Sequence, residues 1–128
     1  MKIEHVAFQV ADPAAMAEWY VEHLGFQIQR ASDSPVVARF RADVSGPVRL
    51  EVYRNLDHPV PDYGAIDPVA LHVAFVCCDI PATVDRLQAA GAKLLNSSQS
   101  NGEKFAMLRD PWGLPLQLVT RGRPMINV

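Results

Sequence analysis

The sequence predicts an α+β fold built from two β-α-β-β-β modules in tandem. The tetrapeptide His5-Val6-Ala7-Phe8 recurs unchanged at positions 72–75. An aspartate follows both copies at the same spacing, Asp12 and Asp79, and each aspartate precedes a helical pattern that ends at a glycine. Further segments in each half alternate apolar and polar residues, as strands with one covered face do. A strand and a helix written twice in the same order indicate that a whole supersecondary unit has been duplicated.

The first module, residues 1–54, begins with a strand and a helix. Residues 3–10 are rich in β-forming side chains, and alternation places His5 on the face opposite the bulkier apolar residues. Asp12 followed by proline is typical of a helix start, and apolar residues recur at helical spacing until Gly25. Three more strands are predicted at about 26–31, 36–41 and 48–54.

The second module, residues 70–121, repeats this order, with Asp79 as the expected helix start and Gly91 as its end. Its strands are predicted at 70–78, 92–96, 104–109 and 115–120, with turns at 97–102 and 110–113. Residues 55–69 contain three prolines and a glycine without periodicity, so they are predicted to be a linker. Such a linker would let the modules pair within one chain or across two, and we expect all 128 residues to form a single domain.

The composition excludes several classes of partner. Twelve basic and fourteen acidic residues give a net charge of −2, without the basic excess that nucleic-acid binding requires. No apolar run approaches the ~18 residues of a membrane helix. From Met1 the chain leads straight into the first predicted strand, so we expect neither a secretory signal nor a transit peptide. We therefore expect a cytoplasmic protein whose main partners are neither nucleic acids nor membranes.

Four polar side chains occupy matched positions in the two modules. His5 matches His72 in the repeated strand, and Glu51 matches Gln117 in the last strand of each module. If the more apolar faces of the strands pack under the helices, all four polar side chains point to the concave face of a curved sheet. Neighbouring alanines on that face leave room for a cavity. A lone strand histidine is more often an ordinary core residue, but paired imidazoles and a carboxylate are costly to bury unless a cation compensates. The pattern therefore favours a divalent metal site.

Other side chains on the same strand faces are weaker candidates. Gln9 shares the face of His5 and Tyr53 shares the face of Glu51, so either could bind a substrate. Ordinary strand packing or exposure is the competing interpretation of both residues. Arg49 also has cavity-side parity but lies near a strand end, where a solvated charge is the simpler interpretation.

At this point the chain resembles the vicinal oxygen chelate superfamily, which includes glyoxalase I, methylmalonyl-CoA epimerase, extradiol dioxygenases, and bleomycin and fosfomycin resistance proteins. The resemblance covers nearly the whole chain. It rests on the duplicated module, on strand 3–8 and its copy 71–75, and on segment 108–118 with its Asp-Pro-Trp-Gly turn. It implies a glyoxalase-like fold in which tandem modules form a curved, incomplete barrel around a central cavity. Members of this architecture are commonly dimers, so a homodimer is expected.

The resemblance also implies a metal centre. The family's ligands lie on the first and last strands of each module, which corresponds here to His5, Glu51, His72 and Gln117. The implied cofactor is a divalent metal ion, which could be zinc, nickel, cobalt, manganese or iron(II). A small-molecule substrate would bind such an ion through two adjacent oxygens.

Gln117 departs from the family pattern, because glyoxalase I and the epimerase have a glutamate there that serves as ligand and base. A glutamine cannot take a proton near pH 7, so Glu51 is the candidate catalytic base. The sequence therefore predicts a metal-dependent enzyme of the glyoxalase type, a lyase or isomerase. One alternative is a metal-free protein that binds drugs or other small molecules, as bleomycin-resistance relatives do. A further alternative is an iron-dependent dioxygenase of the extradiol type, since two histidines and one carboxylate suit iron(II).

Overall fold

The computed structural model describes residues 1–34, 36–42, 46 and 48–126, the side chains of residues 40–42 excepted. The chain divides into two units, Met1–Pro61 and Asp62–Val128, at a boundary inside the segment predicted as a linker. Each unit contains one β-α-β-β-β arrangement, so the predicted α+β fold and its duplication are confirmed. Within the described ranges, no helix has the length and apolar character needed to cross a bilayer.

The first unit is a four-stranded sheet with one helix packed against it. Its elements are β1 (His5–Gln9), α1 (Pro13–Leu24), β2 (Gln27–Ser32), β3 (Val37–Ala42) and β4 (Arg49–Arg54). The strands lie in the order β1-β4-β3-β2, with β1 and β4 parallel and the other pairs antiparallel. The parallel pairing places the first and last strands of the module side by side.

The second unit has the same topology. After a 3₁₀ turn at Tyr63–Ala65 its elements are β5 (Val73–Val76), α2 (Ile80–Ala89), β6 (Lys93–Ser100), β7 (Glu103–Arg109) and β8 (Pro115–Thr120). The strand order is β5-β8-β7-β6, and β5 and β8 form the parallel pair. The first and last strands of this module are therefore also neighbours.

Both helices begin where the sequence predicts. A carboxylate oxygen of Asp12 accepts a hydrogen bond from the backbone N–H of Ala15 at 3.0 Å, and Asp79 accepts one from Ala82 at 3.1 Å. Each bond satisfies one of the backbone donors that a helix start leaves without an intrahelical partner. Gly25 closes the first helix with a left-handed φ of 70°, a conformation that costs glycine little.

The alternation predicted for the last strand of each module is confirmed. Leu50 and Val52 are buried in the first unit, and Leu116 and Leu118 are buried in the second. The residues between them remain partly exposed on the opposite face. Because a slip of one residue would expose these apolar side chains, at about 1.5–3 kcal/mol each, the register of both strands is strongly specified.

The turn predicted at residues 97–102 is shorter than expected, and this prediction was wrong. Strand β6 continues to Ser100 and pairs with β7 through the full hairpin. Only Asn101 and Gly102 form the connection, with φ values of 51° and 77°. Two consecutive left-handed residues match the right-handed twist of the flanking strands, and Asn-Gly is the dipeptide that adopts them most readily.

Part of the segment predicted as a linker is held by the second unit. Tyr63 is buried, with 6% of its surface exposed. The guanidinium of Arg109, at the end of β7, donates hydrogen bonds to the carbonyl oxygens of Tyr63 and Ile66, both at 2.8 Å, and to that of Gly113 at 3.1 Å. One arginine thus ties residues 63–66 to the turn before β8.

Candidate functional site

The two parallel strand pairs have the same register. Ala7 lies opposite Glu51 in the pairing of β1 with β4, and Ala74 lies opposite Gln117 in the pairing of β5 with β8. The histidine precedes the alanine by two positions in both cases, so His5 and His72 occupy equivalent places. The correspondence inferred from the repeated sequence is thus present in the hydrogen-bonded register as well.

The first unit brings His5 and Glu51 together. The Nε2 atom of His5 lies 3.5 Å from a carboxylate oxygen of Glu51. Both side chains are accessible, with 40% of the imidazole and 17% of the carboxylate side chain exposed. The other ring nitrogen of His5, Nδ1, is hydrogen-bonded to the carboxylate of Glu4. Because an ionised carboxylate only accepts, Nδ1 carries the proton in this bond and Nε2 is directed to the Glu51 side.

This arrangement perturbs two titrating groups. The hydrogen bond to Glu4 raises the pKa of His5; partial desolvation opposes it, and the charges of Glu4 and Glu51 add to the increase. The same hydrogen bond lowers the pKa of Glu4, and the nearby Arg49 and Arg30 contribute to the lowering. The Glu4 carboxylate is therefore ionised near neutral pH, as its role as acceptor requires.

The second unit fixes His72 in a related way. Its Nδ1 atom lies 2.7 Å from the carbonyl oxygen of Pro68. A carbonyl oxygen has no proton to donate, so Nδ1 must be the protonated nitrogen and Nε2 the basic one. Gln117, on the adjacent strand, is half-buried. Both histidines thus present the same tautomer, one supported by a carboxylate and the other by the main chain.

His5 and Glu51 are spaced as two ligands of one divalent metal ion would be. Histidines that bind metals almost always donate their second ring N–H to a carboxylate or a backbone carbonyl, and His5 and His72 show one case of each. Two ligands at about 2.1 Å from a tetrahedral ion lie about 3.4 Å apart, close to the 3.5 Å between His5 and Glu51. Within the part of the chain that the structure describes, no three His, Cys, Asp or Glu side chains are grouped closely enough to hold a metal.

Gln9 is occupied by the main chain. It is buried, and its Nε2 atom lies 2.6 Å from the carbonyl oxygen of His58 and 3.1 and 3.2 Å from those of Asn55 and Pro59. Its Oε1 atom accepts from the backbone N–H of Asn55 at 3.0 Å. Both ends of the amide hold the chain that follows β4. A substrate contact of Gln9 stays a prediction, and it would require these bonds to exchange.

Tyr53 lies on β4 two positions beyond Glu51 and is half-buried. Its register partners are Gln9 on β1 and Ala38 on β3. The strand parity expected from the sequence therefore holds, and Tyr53 shares its sheet face with Glu51. Its contact with a substrate stays a prediction.

A polar cavity of about 280 Å³ lies beside His5, and the sequence did not predict it. Its lining residues are Glu4, Gln29, Arg30 and Arg49. Arg49 was expected to be a solvated strand-end charge, yet it is half-buried and its backbone N–H donates to the carbonyl oxygen of Glu4 at 3.0 Å. A bulge between Ile28 and Arg30 explains why Gln29 and Arg30, consecutive residues, line one cavity. Nothing in the local sequence marks that bulge.

The second unit contains an apolar cavity of about 370 Å³. Its lining includes Ala74 and Val76 of β5 and Val119 of β8, together with Met125 and Ile126 of the C-terminal segment. Ala74 is the register partner of Gln117, and Val119 shares the strand parity of Gln117, so this cavity lies on the sheet face that carries Gln117. The sequence predicted space beside the alanines but not the contribution of the C-terminal segment.

Comparison with known proteins identifies the family and the fold of this chain. The family model described as the Glyoxalase/Bleomycin resistance protein/Dioxygenase superfamily matches residues 2–118. The chain is 29% identical over 125 residues to the uncharacterized protein YaeR of Escherichia coli, covering 91% of this chain and 94% of that protein. It is similar in structure to TnmS3, an antibiotic binding protein from Streptomyces sp. CB03234, with a TM-score of 0.71, 19% identity, and coverage of 92% of this chain and 93% of that one. It is also similar to a glyoxalase I variant from Zea mays, with a TM-score of 0.75, 22% identity, and coverage of 95% of this chain and 46% of that one.

Proposed function

The chain belongs to the glyoxalase, bleomycin resistance protein and dioxygenase superfamily, and from that premise we propose that it is a metal-dependent enzyme of the glyoxalase type. The proposed reaction is a lyase or isomerase step on a small substrate with two adjacent oxygens. The observation that carries the proposal is the position of His5, whose Nδ1 is bound by Glu4 while Nε2 lies 3.5 Å from Glu51.

The residues that would hold the metal are His5 and Glu51 in the first unit and His72 and Gln117 in the second. A bound divalent ion supplies Lewis acidity, which polarises a substrate oxygen. Glu4 and the Pro68 carbonyl keep both imidazoles in the tautomer that presents a basic Nε2. With one carboxylate and one neutral amide among the four side chains, the set carries one negative charge less than a site with two glutamates, so we expect metal to be retained weakly.

Glu51 is the proposed proton acceptor. It is the single carboxylate of the set, and its side chain is mostly shielded, with 17% exposed. Gln117 holds the equivalent position but has no proton-accepting group at neutral pH. A proton taken from a substrate carbon would therefore move to a carboxylate oxygen of Glu51.

Metal titration of the purified full chain tests the proposal. Protein purified without chelator would be titrated with zinc, nickel, cobalt, manganese and iron(II) beside His5→Ala and the control His58→Ala. His58 is an exposed histidine of the same unit, and the bond from Gln9 uses its backbone rather than its ring. We expect binding by the parent chain and by His58→Ala and its loss in His5→Ala. No binding of any of the five ions would contradict the proposal, and a preference for iron(II) would favour the dioxygenase alternative.

A second candidate is metal-free binding of an apolar small molecule. The apolar cavity of the second unit favours it, because cavities of roughly 300–1,000 Å³ suit small ligands and this one measures about 370 Å³. A neutral Gln117 beside it is also compatible with a site that uses no metal. Binding of an aromatic ligand that persists in excess chelator and is lost in Val76→Asp would support this candidate; its abolition by chelator would support the metal enzyme.

A homodimer and a cytoplasmic location are further parts of the proposal. Light scattering on the purified chain tests the first, and fractionation of the cells that express it tests the second. A monomer at micromolar concentration would remove the dimer from the proposal without affecting the assignment of His5 and Glu51.

A further inference from the structure

We propose that Arg30, Arg49 and Gln29 form an oxyanion-binding site beside His5, which takes a carboxylate or phosphate group of a small molecule. Assigning that group to the substrate rests on the proposed function, whereas the binding site itself does not. The three side chains line one cavity of about 280 Å³ together with Glu4. Arg49 is the register partner of His5, so the cavity adjoins the predicted metal ligands.

The charges in this cavity favour an anion. Among the four lining residues, two guanidinium groups accompany one carboxylate, so these side chains together carry one net positive charge. A second oxyanion would balance the charge and accept charge-assisted hydrogen bonds from the planar guanidinium groups.

The duplication shows that the fold does not require these charges. When the modules are aligned so that His5 matches His72 and Glu51 matches Gln117, the second unit has no ionisable side chain in the equivalent places, which are Leu71, Leu95, Asn96 and Pro115. The bulge itself is duplicated, because the pairing of β6 with β7 shifts between Leu94 and Asn96 as that of β2 with β3 shifts at Gln29. The same bulge therefore presents Leu95 and the neutral Asn96 in the second unit, and Gln29 and the charged Arg30 in the first.

The bulge also explains how the cluster is assembled. In a regular strand Gln29 and Arg30 would point to opposite faces. Arg30 pairs in register with Phe40, which in turn pairs with Glu51, so Arg30 belongs to the sheet face of Glu51. The extra residue at Gln29 redirects its side chain to line the same cavity. An amide and a guanidinium are thus supplied from adjacent positions of one strand.

Titration of the metal-free full chain with inorganic phosphate and with acetate tests this site. Chelator-treated ¹⁵N-labelled protein would be followed by NMR, with Arg30→Gln and Arg49→Gln beside Arg54→Gln. Arg54 lies on β4 with the opposite strand parity, so its substitution removes the same charge from the other face. We expect saturable shifts of the Gln29 and Arg30 amides, weakened at least about tenfold by either cavity variant and little changed by Arg54→Gln.

The two anions distinguish the two sources of the oxyanion. Preferential binding of acetate would support a carboxylate ligand, and preferential binding of phosphate a phosphorylated one. The absence of saturable shifts with either anion, or equal weakening by all three variants, would overturn the site. A chain that binds the anion but none of the five metal ions would leave this inference standing and contradict only the proposed function.

Discussion

The Nε2 atom of His5 lies 3.5 Å from a carboxylate oxygen of Glu51, across the parallel pairing of β1 with β4. In the equivalent pairing of β5 with β8, Gln117 lies opposite Ala74, and His72 precedes the first residue of β5. The two units share a fold, but only the first has an ionisable group at this position. Glu51 supplies a carboxylate that can accept a proton or bind a cation, whereas Gln117 supplies only a neutral amide. The first unit is therefore the one expected to move protons.

Removing the Glu4 carboxylate should weaken metal binding without disturbing the fold. In Glu4→Gln the Nδ1–H of His5 would keep at most a neutral acceptor, which makes Nε2 a poorer donor. Loss of such an outer-shell carboxylate typically reduces metal affinity about 10–100-fold. Competition with a chelator measures the change, and Glu18→Gln, an exposed helical carboxylate of the same unit, is the matched control. Unchanged affinity in Glu4→Gln would mean that Glu4 does not orient His5.

Metal binding should fall on acidification at a higher pH than an ordinary histidine would give. The bond to Glu4 raises the pKa of His5 above 6.5, so protons compete for its imidazole from above that pH. Protonated His5 also favours folding below 6.5, a contribution lost as the pH rises through the raised pKa. The ring protons of His5 followed by NMR report its titration directly. Its midpoint should move to lower pH in Glu4→Gln, and a midpoint at or below 6.5 in the parent chain would be inconsistent with the bond.

The sequence predicts those features of the site that depend on neighbouring residues in the chain, and it misses those that depend on residues far apart in the chain. Alternation along β4 and β8 predicted that Glu51 and Gln117 lie on the face opposite the buried apolar residues, and they do, because a strand period is a local property. The same alternation assigns Glu4 to the face opposite His5, but β1 begins at His5, and Glu4 precedes the strand. The alternation of strand side chains therefore does not apply to Glu4, and its carboxylate is hydrogen-bonded to the imidazole of His5.

The contacts that the sequence did not reveal are long-range ones. Gln9 bonds to residues 46–50 positions away, and Arg109 to carbonyls 43 and 46 positions away. Neither residue belongs to a sequence motif that predicts a hydrogen bond to the backbone. Asn101-Gly102 is different, since this dipeptide is typical of a two-residue hairpin turn and was present in the sequence. The turn predicted from the sequence is nevertheless longer and includes it.

Restoring the second carboxylate should strengthen metal retention. Gln117→Glu adds one negative charge at the position equivalent to Glu51, and carboxylate oxygens bind divalent ions better than a neutral amide. We expect about a tenfold or larger increase in affinity, in line with the typical effect of a charge-assisted contact. Chelator competition measures it. Gln88→Glu, which makes the same charge change on an exposed helical surface, should leave the affinity unchanged, and a decrease in Gln117→Glu would argue against Gln117 as a ligand.

Gly113, in the turn before β8, should tolerate a side chain poorly. Its φ is +90°, and an added Cβ would lie 2.7 Å from the backbone nitrogen of Gly64 and 3.0 Å from its Cα. The left-handed conformation alone costs a non-glycine residue about 1–2 kcal/mol, and the clash is with backbone held by Arg109 on both sides. Gly113→Ala should therefore lower the free energy of unfolding by more than that amount.

Two other glycines separate the causes of this destabilisation. Gly25→Ala meets open space at a φ of +70°, so it should show only the same conformational cost of about 1–2 kcal/mol. Gly122→Ala has ordinary contact at 3.9 Å and a φ outside the left-handed region, so it should be close to neutral. Urea denaturation of the three variants measures the order. If Gly113→Ala were no more destabilising than Gly25→Ala, the turn would have to yield, and the packing of residues 63–66 against it would be looser than the bonds from Arg109 indicate.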